Sequence, residues 1–183
     1  MTQICQLRVL TVLIFLAVPA LLSATSLVTN GDFETGNFSG WTHSGFANLI
    51  CSPGFAESGN CAVDLDGDDG VLSQVITTVA GDSYTFDFWY WLAGEQFSVK
   101  WDGQVVFSSD VSGDWTHEIL PDLIATTDST TIEFDATTFS TPPMRVDDVN
   151  VVADAPEPST LFTFVAGLAV IAFGWRRKWE SAN

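Results

Sequence analysis

The chain has 183 residues, 23 of them acidic and six basic, for a formal net charge of −17. That length holds one ordinary domain with short appendages. The charge excludes nucleic acid and anionic polymers as partners by simple repulsion, and favours divalent cations or neutral sugars.

Residues 1–26 read as a secretory signal. Arg8 carries the only charge before an apolar run from Val9 to Leu22, and Ala24-Thr25-Ser26 offers small residues for cleavage after Ser26, with Ala24 as the second choice. Cys5 leaves with that peptide. The exported chain then keeps Cys51 and Cys61, which an oxidising compartment should pair. Neither CxxC spacing nor a neighbouring base suggests redox work.

The body, 27–153, is strongly anionic. Of the 23 acids only Glu157 and Glu180 lie beyond Ala155, and of the bases only Lys100 and Arg145 lie between signal and tail, so over residues 27–155 21 acids face two bases and the formal charge is −19. The alternative to a ligand-directed charge is that the acids keep an exported protein soluble. Asp64-Leu65-Asp66-Gly67-Asp68-Asp69-Gly70 opens like an EF-hand loop but carries Asp69 where the pattern needs glycine and Val75 where it needs glutamate. A polar turn between two strands is expected there.

From Ser73 onward the pattern is β. Runs at Ser73–Val79, Ser83–Leu92, Gln96–Trp101, Gln104–Ser109, Trp115–Ile119, Thr130–Thr137 and Met144–Val152 are short and rich in Val, Ile, Thr and aromatics. Glycine-bearing turns separate several of them, and Asp102-Gly103 predicts a type I′ hairpin. No stretch of the body shows a helical period. Regular alternation predicts a two-layered all-β sandwich or barrel.

One strand is singled out for binding. In Tyr84-Thr85-Phe86-Asp87-Phe88-Trp89-Tyr90-Trp91, period two puts Tyr84, Phe86, Phe88 and Tyr90 on one face and Asp87, Trp89 and Trp91 on the other. If the first face is core, the second displays two indoles beside a carboxylate, which suits stacking on sugar rings with hydrogen bonds to their hydroxyls. The alternative is that loops bury that face too. Catalysis is not expected: His43, read in a loop, and His117, read in a strand, look like surface residues, and neither belongs to a hydrolase or zinc motif.

The two ends of the body carry a resemblance. Leu27-Val28-Thr29-Asn30-Gly31-Asp32-Phe33-Glu34, with Gly36 and Trp41, resembles the opening of galactose-binding-like jelly rolls, notably family 4/9 and 22 carbohydrate-binding modules, and Val146-Asp147-Asp148-Val149 resembles their final strand. The resemblance implies a jelly-roll β-sandwich with a structural calcium where those ends meet. Carried over, Glu34 and Asp147 are its expected side-chain ligands, with Asp32 and Asp148 behind them. Ca²⁺ takes about six to eight oxygens at roughly 2.3–2.6 Å, which acids and loop carbonyls supply. The alternative is that Asp32 caps a turn and the Asp pair is solvated.

The tail has three parts. Residues 154–160 form a stiff spacer containing Pro156, Glu157 and Pro158, where two prolines bar strand and helix alike. Residues 161–175 carry no charge, and residues 176–183 open with Arg176, Arg177 and Lys178. As a helix the apolar run is about 22 Å long at roughly 1.5 Å per residue, short of the roughly 30 Å bilayer core, yet it can span if counted from Ser159 with snorkelling basic ends. The cations behind it put the C-terminus in the cytoplasm and the body outside. A buried core helix is the alternative, though one seldom lacks a polar face.

This three-part pattern resembles the PEP-CTERM sorting signal, also known as the ice-binding protein C-terminal domain. The resemblance implies a Gram-negative, exopolysaccharide-producing host whose exosortase recognises the tail in the inner membrane and removes it near the PEP motif. Ice binding itself is not expected, because Thr126-Thr127, Thr130-Thr131 and Thr137-Thr138 are irregularly spaced. The sequence thus predicts a non-catalytic envelope protein that associates with exopolysaccharide, or else a structural matrix component with no specific ligand.

Overall fold

The computed structural model describes residues 25–92, 96–110, 113–136 and 144–154, apart from the side chains at 68 and 69. The expected signal up to residue 24, the sorting residues Pro156, Glu157, Pro158, Arg176, Arg177 and Lys178, and the expected membrane segment lie outside these residues. Among the described residues no helix is long and apolar enough to cross a membrane.

Eight strands run through the described residues: β1 (Thr42–Cys51), β2 (Cys61–Thr77), β3 (Ser83–Trp91), β4 (Phe97–Trp101), β5 (Gln104–Ser109), β6 (Thr116–Ile124), β7 (Ser129–Ala136) and β8 (Met144–Ala153). They pair in the order β5-β4-β7-β2-β8-β3-β6, with β1 laid on β2. Every pairing is antiparallel. The long β2 joins the two halves: Val63–Leu65 pair with β8, while Val71–Thr77 pair with β7.

Alternation explains the layers. On β3, Tyr84, Phe86, Phe88 and Tyr90 are buried, and Asp87, Trp89 and Trp91 face outward half-buried, as period two predicts. The inward rings meet the other half of the sheet. Phe88 packs edge-on against Phe134 of β7 at 5.1 Å and Phe107 of β5 at 5.9 Å, and Tyr84 lies 5.8 Å from Trp101 of β4. Edge-to-face contacts of this kind contribute roughly 0.5–1.5 kcal/mol each beyond area burial.

Three expectations change. Asp64–Gly70 is not a turn between strands but the middle of β2, and β1 pairs along both sides of it. The register with β1 jumps from Ser44↔Val71 to Phe46↔Asp66, so residues 67–70 form a bulge, with Gly67 at φ 73 supplying the left-handed conformation. β1 itself, Thr42–Cys51, falls where no strand was expected, and His43 therefore sits in a strand, stacked on Phe38. The Asp102-Gly103 turn is as expected, with both residues at positive φ.

Residues 27–34 form a strap across β8. The Leu27 amide donates to the Val151 carbonyl at 2.8 Å and the Val149 amide to the Gly31 carbonyl at 2.9 Å. A Cβ on Gly31 would collide with the Val149 carbonyl, so only glycine allows this approach. The Gln74 side chain pairs with both main-chain groups of Thr29, at 2.7 and 3.0 Å, and the Trp41 indole donates to the Asn30 carbonyl at 3.0 Å.

Cys51 and Cys61 form the expected disulfide, at paired positions of β1 and β2. It closes the base of the 52–60 loop. Replacing both cysteines by serine is expected to lower stability by roughly 2–3 kcal/mol on the chain-entropy estimate. Denaturant melts of the full chain in detergent, with and without reductant, measure this. The two treatments should agree, and a stability unaffected by either would show that strand pairing alone holds the loop.

Candidate functional site

The outward face of β3 forms one wall of an open hollow. Register brings two other strands to it: Trp89 lies opposite His117 of β6, and Asp87 opposite Asn150 of β8. The His117 ring stacks on the Trp89 indole with centroids 4.7 Å apart and planes 6° from parallel. Asp87 ties the wall together. Its Oδ1 lies 3.1 Å from His117 Nε2 and its Oδ2 accepts from Asn150 Nδ2 at 2.9 Å.

The strap and β8 supply the opposite side. Asn30, Gly31, Asp32, Asp148 and Val149 complete a hollow of about 490 Å³ with Trp89, Asp87, His117 and Asn150. Asn30 and Asp148 both adopt positive φ, 54° and 46°, an uncommon conformation that asparagine and aspartate tolerate best. Three carboxylates, Asp32, Asp87 and Asp148, line the hollow together with the Trp89–His117 pair. A fourth acid stands nearby: burial, and a hydrogen bond with Asp148, raise the Glu57 carboxyl above its ordinary value.

The three residues expected to bind ligand separate. Asp87 and Trp89 line the hollow, whereas Trp91 does not. The Arg145 guanidinium covers Trp91 at 4.6 Å from the ring centroid and lies 4.0 Å from that of Phe55 in the 52–60 loop. Arg145 also pairs with Asp64 at 3.3 Å. Such stacking contributes roughly 0.5–2 kcal/mol.

The four expected calcium ligands also divide. Glu34 and Asp147 both bind one piece of chain, residues 57–61. Glu34 Oε1 accepts from the Asn60 and Cys61 amides, both at 2.7 Å, and these bonds hold its carboxyl below the ordinary value. Asp147 Oδ2 accepts from the Glu57 and Ser58 amides at 2.9 and 3.2 Å, and its Oδ1 from the Asp148 amide at 2.8 Å. Asp32 caps the turn by accepting from the Glu34 amide at 3.3 Å, and Asp148 faces the hollow.

A cation fits this place in charge. Asp147 is 0% exposed, and burial pushes its carboxyl up to about 7 despite three amide bonds. A hard dication beside it would offset that cost. Among the described residues no three His, Cys, Asp or Glu side chains converge as a cage. Main-chain oxygens would have to complete the set.

His117 and Asn150 were not singled out as binding residues in the sequence. Non-local strand pairing places them, and the one local signal was that Asn150 points outward between Val149 and Val151, both buried.

Comparison with known proteins bears on both ends of the chain. Residues 154–178 match the PEP-CTERM protein-sorting motif, the C-terminal signal of exported proteins processed by exosortase. No curated protein matches the chain. Among solved structures, a family 61 carbohydrate-binding module in complex with β-1,4-galactotriose is similar with a TM-score of 0.61 at 20% identity, over 72% of this chain and 100% of that one. The C-terminal family 22 carbohydrate-binding module of Clostridium thermocellum Xyn10B gives 0.53 at 19%, over 67% and 91%. The enzymatically active domain of tailspike protein 4 from bacteriophage CBA120 gives 0.55 at 14%, over 70% of this chain but 21% of that one. At these identities the likeness is one of fold, and the body is a jelly-roll of the carbohydrate-binding-module type.

Asp147 makes stability depend on pH in a definite direction. Its folded value of about 7 stands above the ordinary 3.8, so the fold favours the protonated acid; that contribution is complete below pH 3.8 and is lost as pH rises to about 7. Glu57 works in the same sense and Glu34 in the opposite one, below its ordinary 4.5. In chelator, the melting temperature of the full chain should fall between about pH 4 and pH 8, and Asp147→Asn should flatten that slope while lowering its acid end. Parallel slopes for the two proteins would mean that Asp147 does not titrate in this window.

Proposed function

We propose that the body is a non-catalytic module that binds polysaccharide in the hollow around Trp89, presenting the protein to the exopolysaccharide of the cell that exports it. The observation that carries this reading is the joint placement of Trp89, His117, Asp87 and Asn150: a flat aromatic pair framed by fixed polar groups in an open hollow. A pyranose offers apolar C–H faces and a rim of hydroxyls. The indole suits the faces, and Asp87, Asp148, Asn30 and Asn150 suit the hydroxyls, as few polar groups around an apolar surface do in small-ligand sites generally. The fold shared with carbohydrate-binding modules supports the same reading, and the sorting motif supports delivery to the envelope.

Calcium belongs to this proposal as a structural ion. Asp147 and Glu34 would hold it, fixing residues 57–61 against the strap and β8, and it would supply the positive charge that two carboxylates at one segment lack. Among the described residues neither acid is paired with Lys or Arg.

Two measurements test the reading. Trp89→Ala should weaken retention of the full chain on a polysaccharide column or glycan array by roughly tenfold or more, a loss typical of a buried aromatic anchor, with circular dichroism unchanged. No retention of the wild type on any polysaccharide would favour the matrix role instead. Separately, chelator should lower the melting temperature by several degrees and added calcium restore it. Unchanged melting would remove the ion and leave the hollow untouched.

A further inference from the structure

We infer that the hollow selects polysaccharides bearing free amines, that is, deacetylated amino sugars, over neutral and uronate-bearing polymers. The inference rests on the proposed glycan-binding site and adds the charge of its ligand. Asp32, Asp87 and Asp148 all line the hollow, and Glu57 stands behind Asp148. The aromatic wall marks where a sugar ring lies; the carboxylates around it fix what that ring carries.

The positive charge of the body is committed elsewhere. Lys100 donates to Glu133 at 2.8 Å and to Asp135 at 2.6 Å, on β4 and β7. Arg145 is held by Asp64 and lies between Phe55 and Trp91. Among the described residues, His117 is the one base lining the hollow, and Asp87 is its partner. An incoming uronate thus meets three carboxylates and no lysine or arginine, with residues 27–155 carrying a formal charge of −19. An ammonium group meets the reverse.

The acids are also spaced for different work. Asp87 has both oxygens engaged by its own wall, so it orients His117 and Asn150. Asp32 is exposed at the rim and uses one oxygen to cap the Glu34 amide. Asp148 lines the hollow beside Val149 and Asn150, with the Glu57 carboxyl close by, so a cationic group there would meet two acids. Asp32 and Asp148 are therefore the contacts assigned to the ammonium, and Trp89 the contact assigned to the ring. Charge of this kind sets partner choice and its salt dependence more than it adds raw affinity.

Isothermal titration of the full chain in detergent, in mildly acidic buffer with calcium present, uses three probes of equal length: a glucosamine oligomer, its fully N-acetylated counterpart and an oligo-uronate. The expected order is glucosamine tightest by roughly tenfold, the N-acetylated oligomer next, and no detectable uronate binding. Salt should weaken only the first. Asp148→Asn, an isosteric change that suits the positive φ there, should weaken glucosamine binding far more than binding of the N-acetylated oligomer, so that the gap between the two closes. Equal binding of the two amino sugars, or preference for the uronate, overturns the charge inference while glycan binding stands. A wild type that binds none of the three, nor any neutral polysaccharide on an array, overturns both.

Discussion

The meeting of the strap with β8 is the constraint on which the rest depends. Two main-chain hydrogen bonds, from Leu27 to Val151 and from Val149 to Gly31, join the first described segment to the last strand. Gly31 makes the approach possible, and Gln74 reaches out of β2 to satisfy Thr29 in the manner of an extra strand. Such long-range closure costs chain entropy, and Phe33 of the strap, buried 5.5 Å from buried Trp41, offsets part of it. Remove the closure and the hollow loses one wall, since Asn30, Gly31 and Asp32 all ride on it.

A break in alternation divides labour along β8. Asp147, register partner of the outward-facing Trp89, is buried against the 57–61 segment and takes its Glu57 and Ser58 amides, while Asp148, at positive φ where the β3–β8 register shifts, lines the hollow. One strand thus carries an acid that holds a loop and an acid that lines the hollow, set apart by a bulge rather than by the regular pleat. On β3 the pleat is regular, and the core rings and the wall of the hollow are interleaved residue by residue. Changes to the hollow can spare the core, because the two sets of side chains share a backbone but not a space.

Much of this was legible in the sequence. Seven of the strand runs, the inward aromatic face of β3, the Asp102-Gly103 turn and the Cys51–Cys61 pair all follow from local pattern or compartment chemistry. β1 was not legible, because THSGFANLIC is mostly exposed and carries little alternation to read. The Asp64–Gly70 stretch misled for a related reason: glycines and acids read as a turn, yet β1 pairs with β2 on either side of the 67–70 bulge while β8 and β7 take its other edge at 63–65 and 71–77, so tertiary pairing overrides local preference. The hollow was half legible. Trp89 and Asp87 follow from period two, but His117 and Asn150 reach them only through the β3–β6 and β3–β8 registers, which no local signal encodes.

The point where the body hands over to its sorting tail is also fixed by side chains. Asp154, the last described residue, takes hydrogen bonds from the Ser83 and Thr85 hydroxyls at 2.5 and 2.7 Å, and its amide donates to the Ser83 carbonyl at 3.0 Å. These bonds tie the exit of β8 to the start of β3. The 52–60 loop packs on Arg145 and Trp91, at the opposite ends of the same two strands. Tension from an anchored tail therefore enters β8 at its far end from that loop and is shared at once with β3, the strand that carries Trp89. Antiparallel pairing of β3 with β8 on both sides of the register shift between Asp87 and Trp89 loads those hydrogen bonds in shear, where many must yield together. On the proposed reading, load between a polymer held at Trp89 and the tail therefore passes first through the β3–β8 ladder.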